Sequence, residues 1–163
     1  MAEFRDDRRM SMDPQQALAW RAAHDLARRL KASNTARQFG FELRDIKPDG
    51  VVFGMRVGKR HLQVHKVVHG GVLAALADTA GGFAVYSRLP MGSRVATVEM
   101  KINFLEPVVR GEVMAYARVI RLGKNFGVVD CDLTDHASRL VGKALMTFAV
   151  VSRGKEQKRG RRP

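Results

Sequence analysis

The 163-residue sequence contains a single cysteine, Cys131, so a framework of internal disulfides is excluded. Apolar runs are also short. None reaches the roughly 18 residues that a membrane-spanning helix needs, because Asp78 interrupts the run that comes nearest. The charged N-terminal segment MAEFRDDRRMSMDP lacks the apolar core of a secretory signal. We therefore expect a cytoplasmic protein without membrane contact.

Acidic residues are scarce relative to basic ones, with 16 aspartates and glutamates against 29 lysines and arginines and a net charge of +13. Part of this excess lies in residues 153–163, a basic tail that contains one acid, Glu156. Such a tail is typical of a solvated, disordered end, although it also suits an anionic partner such as nucleic acid. Residues 1–12 are likewise expected to be disordered.

Metal-ligand clusters and internal repeats are missing as well. No group of cysteines or carboxylates has the spacing of a metal site, so no metal is expected. The remaining residues, 13–152, are enough for one domain with its own hydrophobic core. We find no composition shift that would mark a second domain.

An N-terminal helix is predicted over residues 13–34, because Asp13 and Pro14 supply an N-cap and a proline at the first helical position. Its apolar stripe comprises Leu18, Ala22, Leu26 and Leu30. Basic residues, among them Arg28 and Arg29, are expected to face away from the stripe. We expect no second helix after a short turn, so no helix-turn-helix is predicted and nucleic acid is not an expected partner.

Six further segments have the patterns of β-strands. Two of them precede a long apolar helix and are joined by the turn Lys47-Pro48-Asp49-Gly50. Four consecutive strands follow the helix. Runs of strands joined by tight turns indicate an antiparallel sheet, so the predicted fold class is α+β, with the long helix wrapped by the sheet.

The long helix, HGGVLAALADTAGGFAVY over residues 69–86, has almost no polar side chain. From residue 72 onward only Asp78 and Thr79 are strongly polar, apart from the hydroxyl of Tyr86. A helix that is apolar on all sides is expected to be buried on all sides. A carboxylate in such a place is a candidate general base or nucleophile. The alternative is that Asp78 only holds a neighbouring loop by a hydrogen bond.

The start of this helix has the features of an oxyanion site. His69-Gly70-Gly71 would leave free backbone N–H groups at the positive end of the helix dipole. Asp78 lies eight residues beyond Gly70, which is about 12 Å along the axis. Both groups can act on one atom only if they come from different chains, as in a two-fold dimer with antiparallel helices. Gly81 and Gly82 indicate either close packing or a kink.

The stretch HGGVLAALADTAGGFA, followed by ATVEMKINFLEPV and a Gly-Lys turn, resembles the hotdog-fold acyl-CoA thioesterases, in the branch of the phenylacetate-pathway and 4-hydroxybenzoyl-CoA enzymes. The resemblance covers residues 38–151. It implies a hotdog fold, with one central helix wrapped by an antiparallel sheet of about six strands. The N-terminal helix is an addition to this fold.

The resemblance also implies catalytic roles for particular residues. The N–H of Gly70 would bind the thioester carbonyl, and Asp78 of the opposite subunit would attack it directly or activate water. Gln63, in the loop before the helix, would help to place the substrate or the water. Thr97 would assist at the carboxylate, with Thr79 as the alternative.

Further contacts with the substrate follow from the same resemblance. His69 would orient its loop through a hydrogen bond. The expected substrate-binding residues are Gly71, Thr79, Phe83, Arg88, Lys124, Asn125 and Phe126. Of these, Arg88 and Lys124 would supply positive charge for the phosphates of coenzyme A. Asn125 and Phe126 follow the turn at which family members meet the nucleotide.

The predicted function is hydrolysis of an aryl or medium-chain acyl-CoA to the free acid and coenzyme A. No cofactor is expected, since coenzyme A enters only as part of the substrate. A homodimer is expected, assembled further as a dimer of dimers. One alternative is a non-catalytic acyl-CoA-binding or sensing protein, which the basic tail would suit. A hotdog hydratase is a third interpretation, but it would need an Asp–His pair that the loop HLQVHKVV lacks.

Overall fold

In the computed structural model the described residues are 14–151, with side chains described from residue 23 onward. The N-terminal segment 1–12 and the basic tail 153–163, both singled out in the sequence, lie outside the described residues. Among residues 14–151, no helix combines the length and the hydrophobicity of a bilayer-spanning segment.

A short second helix follows the N-terminal one, so the prediction of a single helix is wrong. Helix α1 spans Pro14–Ala32 and helix α2 spans Asn34–Phe39. Ser33 separates them because its backbone is extended (φ −77°, ψ 114°) and its hydroxyl accepts a hydrogen bond from Ala36 N–H at 3.2 Å. Gly40 ends α2 in the left-handed conformation, at φ 67°.

A single antiparallel sheet contains all six strands of the described residues. The strands are β1 (Phe41–Lys47), β2 (Gly50–Arg56), β3 (Arg94–Phe104), β4 (Glu112–Leu122), β5 (Phe126–Thr134) and β6 (Leu140–Val151). Their order across the sheet is β1-β2-β4-β5-β6-β3. The α+β prediction is therefore confirmed, and β1 and β3 form the two edges of the sheet.

Helix α3, Gly70–Tyr86, packs one side against this sheet and contacts strands β2 to β6. The buried residues of the helix are Val72, Leu73, Leu76, Ala77, Ala80, Gly81, Ala84, Val85 and Tyr86. They meet fully buried side chains of the strands, such as Phe53 and Met146. The central helix covered by the sheet is the arrangement that the sequence predicted.

The opposite side of α3 stays open in the single chain, so the expectation of burial on all sides is wrong. A stripe of residues on this side is half-buried or exposed, and we call it the open stripe. It comprises Gly71, Ala74, Ala75, Asp78, Thr79, Gly82 and Phe83. One sheet covers only one side of a helix. The mostly small side chains of the open stripe allow close approach of a second apolar surface.

Gly81 permits direct contact between α3 and the sheet. A Cβ atom at this position would lie 2.7 Å from Met146 Cε and 2.9 Å from Phe148 Cε2. The helix continues without interruption through Gly81 and Gly82. Close packing is therefore the reason for glycine at position 81, as one of the two interpretations of the sequence expected.

Candidate active site

Asp78 is held by a hydrogen bond from the edge strand β3. The hydroxyl of Thr97 donates to Asp78 Oδ1 at 2.7 Å. Asp78 is half-buried on the open stripe of α3, and strand β3 brings Thr97 beside it. Thr97, rather than the adjacent Thr79, is thus the threonine that contacts the carboxylate. The second carboxylate oxygen, Oδ2, is not part of this bond.

A pocket of about 370 Å³ lies at Asp78 and Thr97. Its lining residues are Arg29, Ser33, Thr35, Ala75, Asp78, Thr79, Gly82, Phe83, Tyr86, Val95, Thr97 and Phe148. We call it the Asp78 pocket. Three residues that were expected near the substrate, Asp78, Thr79 and Phe83, line it together. The ring of Phe83 is fixed by an edge contact with Phe53, with 5.2 Å between the ring centroids.

Part of the Asp78 pocket is built by the N-terminal helices, which the sequence did not indicate. Arg29, predicted to face away from the protein, lies with its guanidinium carbon 3.9 Å from the centroid of the Tyr86 ring. Its Nε donates to Oδ2 of the buried Asp25 at 3.3 Å. The i,i+4 spacing of Asp25 and Arg29 is typical of a helical ion pair, so this contact could have been predicted from the sequence. Their contact with Tyr86 could not, because no local pattern links the two helices.

The Asp25 carboxylate is stabilised in its charged form although it is buried. The hydrogen bond donated by the Tyr86 hydroxyl, followed by that from Arg28, holds the pKa of the Asp25 carboxyl below its usual value. These bonds outweigh the opposing effect of burial. The result is a fixed charged contact between α1 and the C-terminal end of α3.

His69, which was expected to orient its loop through a hydrogen bond, caps the N-terminus of α3. His69 Nδ1 accepts from Gly71 N–H at 2.8 Å, and His69 O accepts from Val72 N–H at 2.9 Å. Among the residues described, the N–H of Gly70 has no acceptor. It is therefore the backbone donor available for an oxyanion at this helix end.

Gly70 lies in a different pocket from Asp78. This second pocket, of about 340 Å³, is lined by Val67, Val68, Gly70, Leu73, Phe104, Leu105, Glu106, Pro107 and Val108. The eight-residue separation of Gly70 and Asp78 along one straight helix corresponds to about 12 Å. Within one chain the two groups are not brought together. Gly71 is exposed beside Gly70.

Gln63 lies in neither of these two pockets within the single chain. Its side-chain Oε1 accepts a hydrogen bond from His65 N–H at 2.9 Å, and its own N–H donates to Val67 O at 2.8 Å. Both bonds stay inside the loop that leads into α3. Inside one chain, Gln63 is therefore not at the Asp78 pocket, where it was expected to help place the substrate or the water.

The four residues expected to meet coenzyme A lie outside the Asp78 pocket. Arg88 is exposed and donates to Pro48 O in the β1–β2 turn. The exposed residues Lys124 and Asn125 lie in the β4–β5 turn, and the exposed Phe126 is the first residue of β5. Asn125 O accepts from Val150 N–H at 2.7 Å, and Val150 pairs with the pocket residue Val95. The turn is thus at the same end of the sheet as the pocket.

Other reactive groups do not offer an alternative centre. Burial raises the pKa of the Cys131 thiol to about 12, so this cysteine is a packed core residue and not a nucleophile. Within residues 14–151, no group of three histidines, cysteines or carboxylates is arranged to hold a metal ion. Among the acidic side chains described, Asp78 is the one that lines the Asp78 pocket.

Comparison with known proteins identifies the family. A family model described as the thioesterase superfamily matches residues 65–142. The acyl-coenzyme A thioesterase PaaI of Escherichia coli is 30% identical over 124 residues, which are 76% of this chain and 84% of PaaI. The chain belongs to the thioesterase superfamily. The matched region includes Gly70, Asp78 and Thr97, whereas Gln63 precedes it.

A solved structure supports the same membership of the thioesterase superfamily. A thioesterase of Haemophilus influenzae is 30% identical, with a TM-score of 0.75 over 79% of this chain and 90% of that chain. A relative in Halobacterium salinarum is 40% identical over 89 residues, but the match spans only 57% of that protein. The predicted hotdog fold is confirmed, and the protein is a thioester hydrolase.

Proposed function

We propose that this thioesterase hydrolyses an aryl or medium-chain acyl-CoA to the free acid and coenzyme A, in a site formed by two copies of the chain. The observation that supports this most strongly is the hydrogen bond from Thr97 to Asp78 beside a pocket on the open stripe of α3. A carboxylate with one oxygen bound and a pocket next to it suits a base or a nucleophile.

In the proposed reaction, each group has one task. The N–H of Gly70 donates to the thioester carbonyl and stabilises the oxyanion that forms. Asp78 of the second chain removes a proton from the water that attacks the carbonyl carbon, or attacks that carbon itself. The carbon–sulfur bond then breaks, and coenzyme A leaves as the thiolate and takes up a proton. With water as the attacking group the free acid forms at once. With Asp78 as the attacking group a mixed anhydride forms, which water hydrolyses to the free acid and the Asp78 carboxylate. Thr97 orients Asp78, and Gln63 positions the water.

The need for two chains follows from the separation of Gly70 and Asp78 into different pockets. A two-fold axis that pairs two antiparallel α3 helices would bring each helix start next to the other chain's Asp78. The small residues of the open stripe suit such an approach. Strand β3 is an edge of the sheet with an exposed Val98, and it is available to pair with a second copy.

A further pairing of dimers is supported by apolar residues elsewhere on the sheet. Ile120 is 60% exposed and Leu145 is 47% exposed. Exposed apolar side chains of this kind are common at interfaces between subunits. We propose that they contribute to a dimer of dimers, and that Arg88 and Lys124 meet the phosphates of coenzyme A.

The proposal is tested by thiol release from a panel of aryl, short-chain and long-chain CoA esters. The wild-type protein is expected to release thiol, with the highest kcat/KM on aryl or medium-chain esters. Asp78→Asn should keep the fold and lower kcat at least ~100-fold, the lower range for loss of a base. Asp45→Asn makes the same chemical change on the exposed side of β1 and should behave like wild type.

Two outcomes would contradict the proposal. Near-normal turnover in Asp78→Asn would remove Asp78 from the reaction. Tight binding of acyl-CoA without any thiol release would instead favour the alternative of a non-catalytic binding protein. Circular dichroism of both variants separates a loss of chemistry from a loss of fold.

A further inference from the structure

The Asp78 pocket has an unusual polar end that comes from the N-terminal helices. Arg29, Ser33 and Thr35 line it there. Arg29 stacks on Tyr86, which follows Asp78 by eight residues on α3. That spacing separates the backbones of Asp78 and Tyr86 by about 12 Å along the helix axis. Gly82 and Phe83 lie between Asp78 and Tyr86 on the helix. The pocket therefore has the Asp78 carboxylate at one end, the Arg29 guanidinium at the other and an apolar stretch between them.

Arg29 is fixed in place by contacts on two sides. One face of its guanidinium covers the Tyr86 ring at 3.9 Å, and its Nε donates to Asp25 at 3.3 Å. The two terminal nitrogens are not part of that bond. A pair of terminal guanidinium nitrogens is the group that binds a carboxylate in a bidentate manner. The side chain is 38% exposed, so a ligand can reach it.

The charges around Arg29 leave an excess of positive charge. The Asp25 side chain is 4% exposed and pairs with both Arg28 and Arg29, so two cations share one anion. Among the residues whose side chains are described, the charged ones that line the pocket are Arg29 and Asp78. An anionic group in the pocket is attracted to the Arg29 end and repelled from the Asp78 end. This fixes the direction in which a charged acyl group would lie.

We propose that Arg29 binds a carboxylate at the distal end of the acyl group, so that the preferred substrate is the CoA thioester of a dicarboxylic acid. This inference rests on the proposed function, since it assumes that the thioester carbon is placed at Asp78. Asp25 and Tyr86 are positioning residues that hold the guanidinium. Ser33 and Thr35 supply hydroxyl groups beside the bound carboxylate.

The test compares two CoA esters of the same chain length, suberoyl-CoA and octanoyl-CoA, of which only the first has a distal carboxylate. The wild-type protein is expected to have the higher kcat/KM on suberoyl-CoA. Arg29→Met should raise KM for suberoyl-CoA about tenfold with little change in kcat, because a charge-assisted hydrogen bond to a remote part of the substrate is lost. The ratio of kcat/KM for suberoyl-CoA over octanoyl-CoA should fall by the same factor.

Arg28→Met is the matched control, because Arg28 pairs with the same Asp25 but does not line the pocket. Asp25 keeps one arginine and the Tyr86 hydroxyl in either variant. Arg28→Met is expected to retain the wild-type ratio. The inference is overturned if wild type does not prefer suberoyl-CoA, or if Arg29→Met lowers kcat/KM equally on both esters, as a contact with the coenzyme A phosphates would.

A binding measurement decides the inference separately from catalysis. Calorimetric titration with suberamic acid and with octanamide, which both carry a neutral amide for the Asp78 end, reports on the pocket whether or not thioesters are cleaved. Wild type and Arg28→Met should bind suberamic acid more tightly, and Arg29→Met should lose this preference. Absence of any preference in wild type would overturn the inference while thiol release still supported the proposed function. A preference for suberamic acid without any thiol release would remove the proposed function and leave a carboxylate-binding site at Arg29.

Discussion

At the scale of single residues, the proposed reaction depends on how Asp78 is oriented. The hydrogen bond from Thr97 uses Oδ1. Oδ2 would therefore be the oxygen that meets the reacting atoms. Because Thr97 is on strand β3 and Asp78 is on helix α3, the carboxylate is positioned by the packing of the helix on the sheet. A role for Asp78 that was only structural would not require the pocket of about 370 Å³ beside it.

Removal of the Thr97 hydroxyl should weaken this orientation. Thr97→Val keeps the shape and is expected to lower kcat about tenfold, the effect of one hydrogen bond to a charged group. Thr79→Val is the control, since Thr79 lines the same pocket without bonding Asp78 in the structure. Steady-state kinetics on a single CoA ester gives kcat for both variants. Equal losses of kcat in the two variants would contradict the assigned role of Thr97.

A second residue-scale prediction concerns His61, which is 1% exposed. Its Nδ1 accepts from Gly58 N–H at 2.9 Å, and its Nε2 lies 3.0 Å from Phe39 O. Burial lowers the pKa of the His61 imidazole below the usual value. The unfolded chain therefore binds the proton more readily. The contribution of His61 to the free energy of unfolding is therefore fully present above about pH 6.5, the ordinary pKa of histidine. This contribution is lost as the pH falls below that value toward the lower pKa of the folded state.

Urea unfolding at about pH 7.5 and about pH 5.5 measures this loss. His61→Gln should be less stable at the higher pH and should lose less on acidification than wild type. His65→Gln, which alters an exposed histidine of the following loop, should keep the wild-type pH dependence. An unchanged dependence in His61→Gln would show that another group is responsible.

At the scale of elements, α3 has two faces with different tasks. The buried face is fixed by the sheet, with Gly81 in contact with Met146 and Phe148. The open stripe holds Asp78 and the small residues that suit a second chain. In the proposed dimer, one helix would supply the backbone donor at its start and the carboxylate two turns later, for two different sites.

The two glycines of α3 should respond differently to alanine. A Cβ at Gly81 would lie 2.7 Å from Met146 Cε, whereas one at Gly82 would lie 3.5 Å from Phe148 Cε1, an ordinary contact. Gly81→Ala is expected to lower the free energy of unfolding by about 1–3 kcal/mol through overpacking. Gly82→Ala should lower it less. Denaturant unfolding of both variants checks this, and equal stability of the two proteins would contradict the packing argument.

The elements with strong local signals could be predicted from the sequence. The structure agrees with four of these predictions: the start of α1 at Pro14, the turn Lys47–Gly50, helix α3 and the four strands that follow it. Helix α2 was missed because six residues, Asn34–Phe39, are too few to show a period. The cluster of Asp25 and Tyr86 could not be predicted, since it joins residues 61 positions apart. The open stripe was missed because local apolarity does not reveal how many sides a sheet covers.

At the scale of the whole molecule, the single chain keeps apart the groups that are proposed to act on one thioester. Gly70 and Asp78 lie in separate pockets, and Gln63 lies in neither of the two. An edge strand and an open helix face adjoin these parts. A symmetric pair of chains would join them twice, once at each end of the paired helices.

The central claim is that Gly70 of one chain and Asp78 of the other act on the same thioester. Gly70→Pro removes the N–H at the first position of the helix, where the extended backbone of His69 (φ −63°, ψ 131°) suits a following proline. The added Cβ would lie 3.1 Å from Phe104 Cε2, so this half-exposed ring has to shift slightly in the variant. Asp78→Asn removes the carboxylate. Each variant alone should form inactive dimers that retain the fold.

The most direct measurement is thiol release after subunits of Gly70→Pro and Asp78→Asn are mixed and allowed to exchange. A mixed dimer holds one intact site, made of Gly70 from one chain and Asp78 from the other. Random exchange should therefore restore about a quarter of the wild-type kcat. If the mixture, with mixed dimers shown to be present, stays as inactive as its parents, then the two groups act within one chain and the account is contradicted.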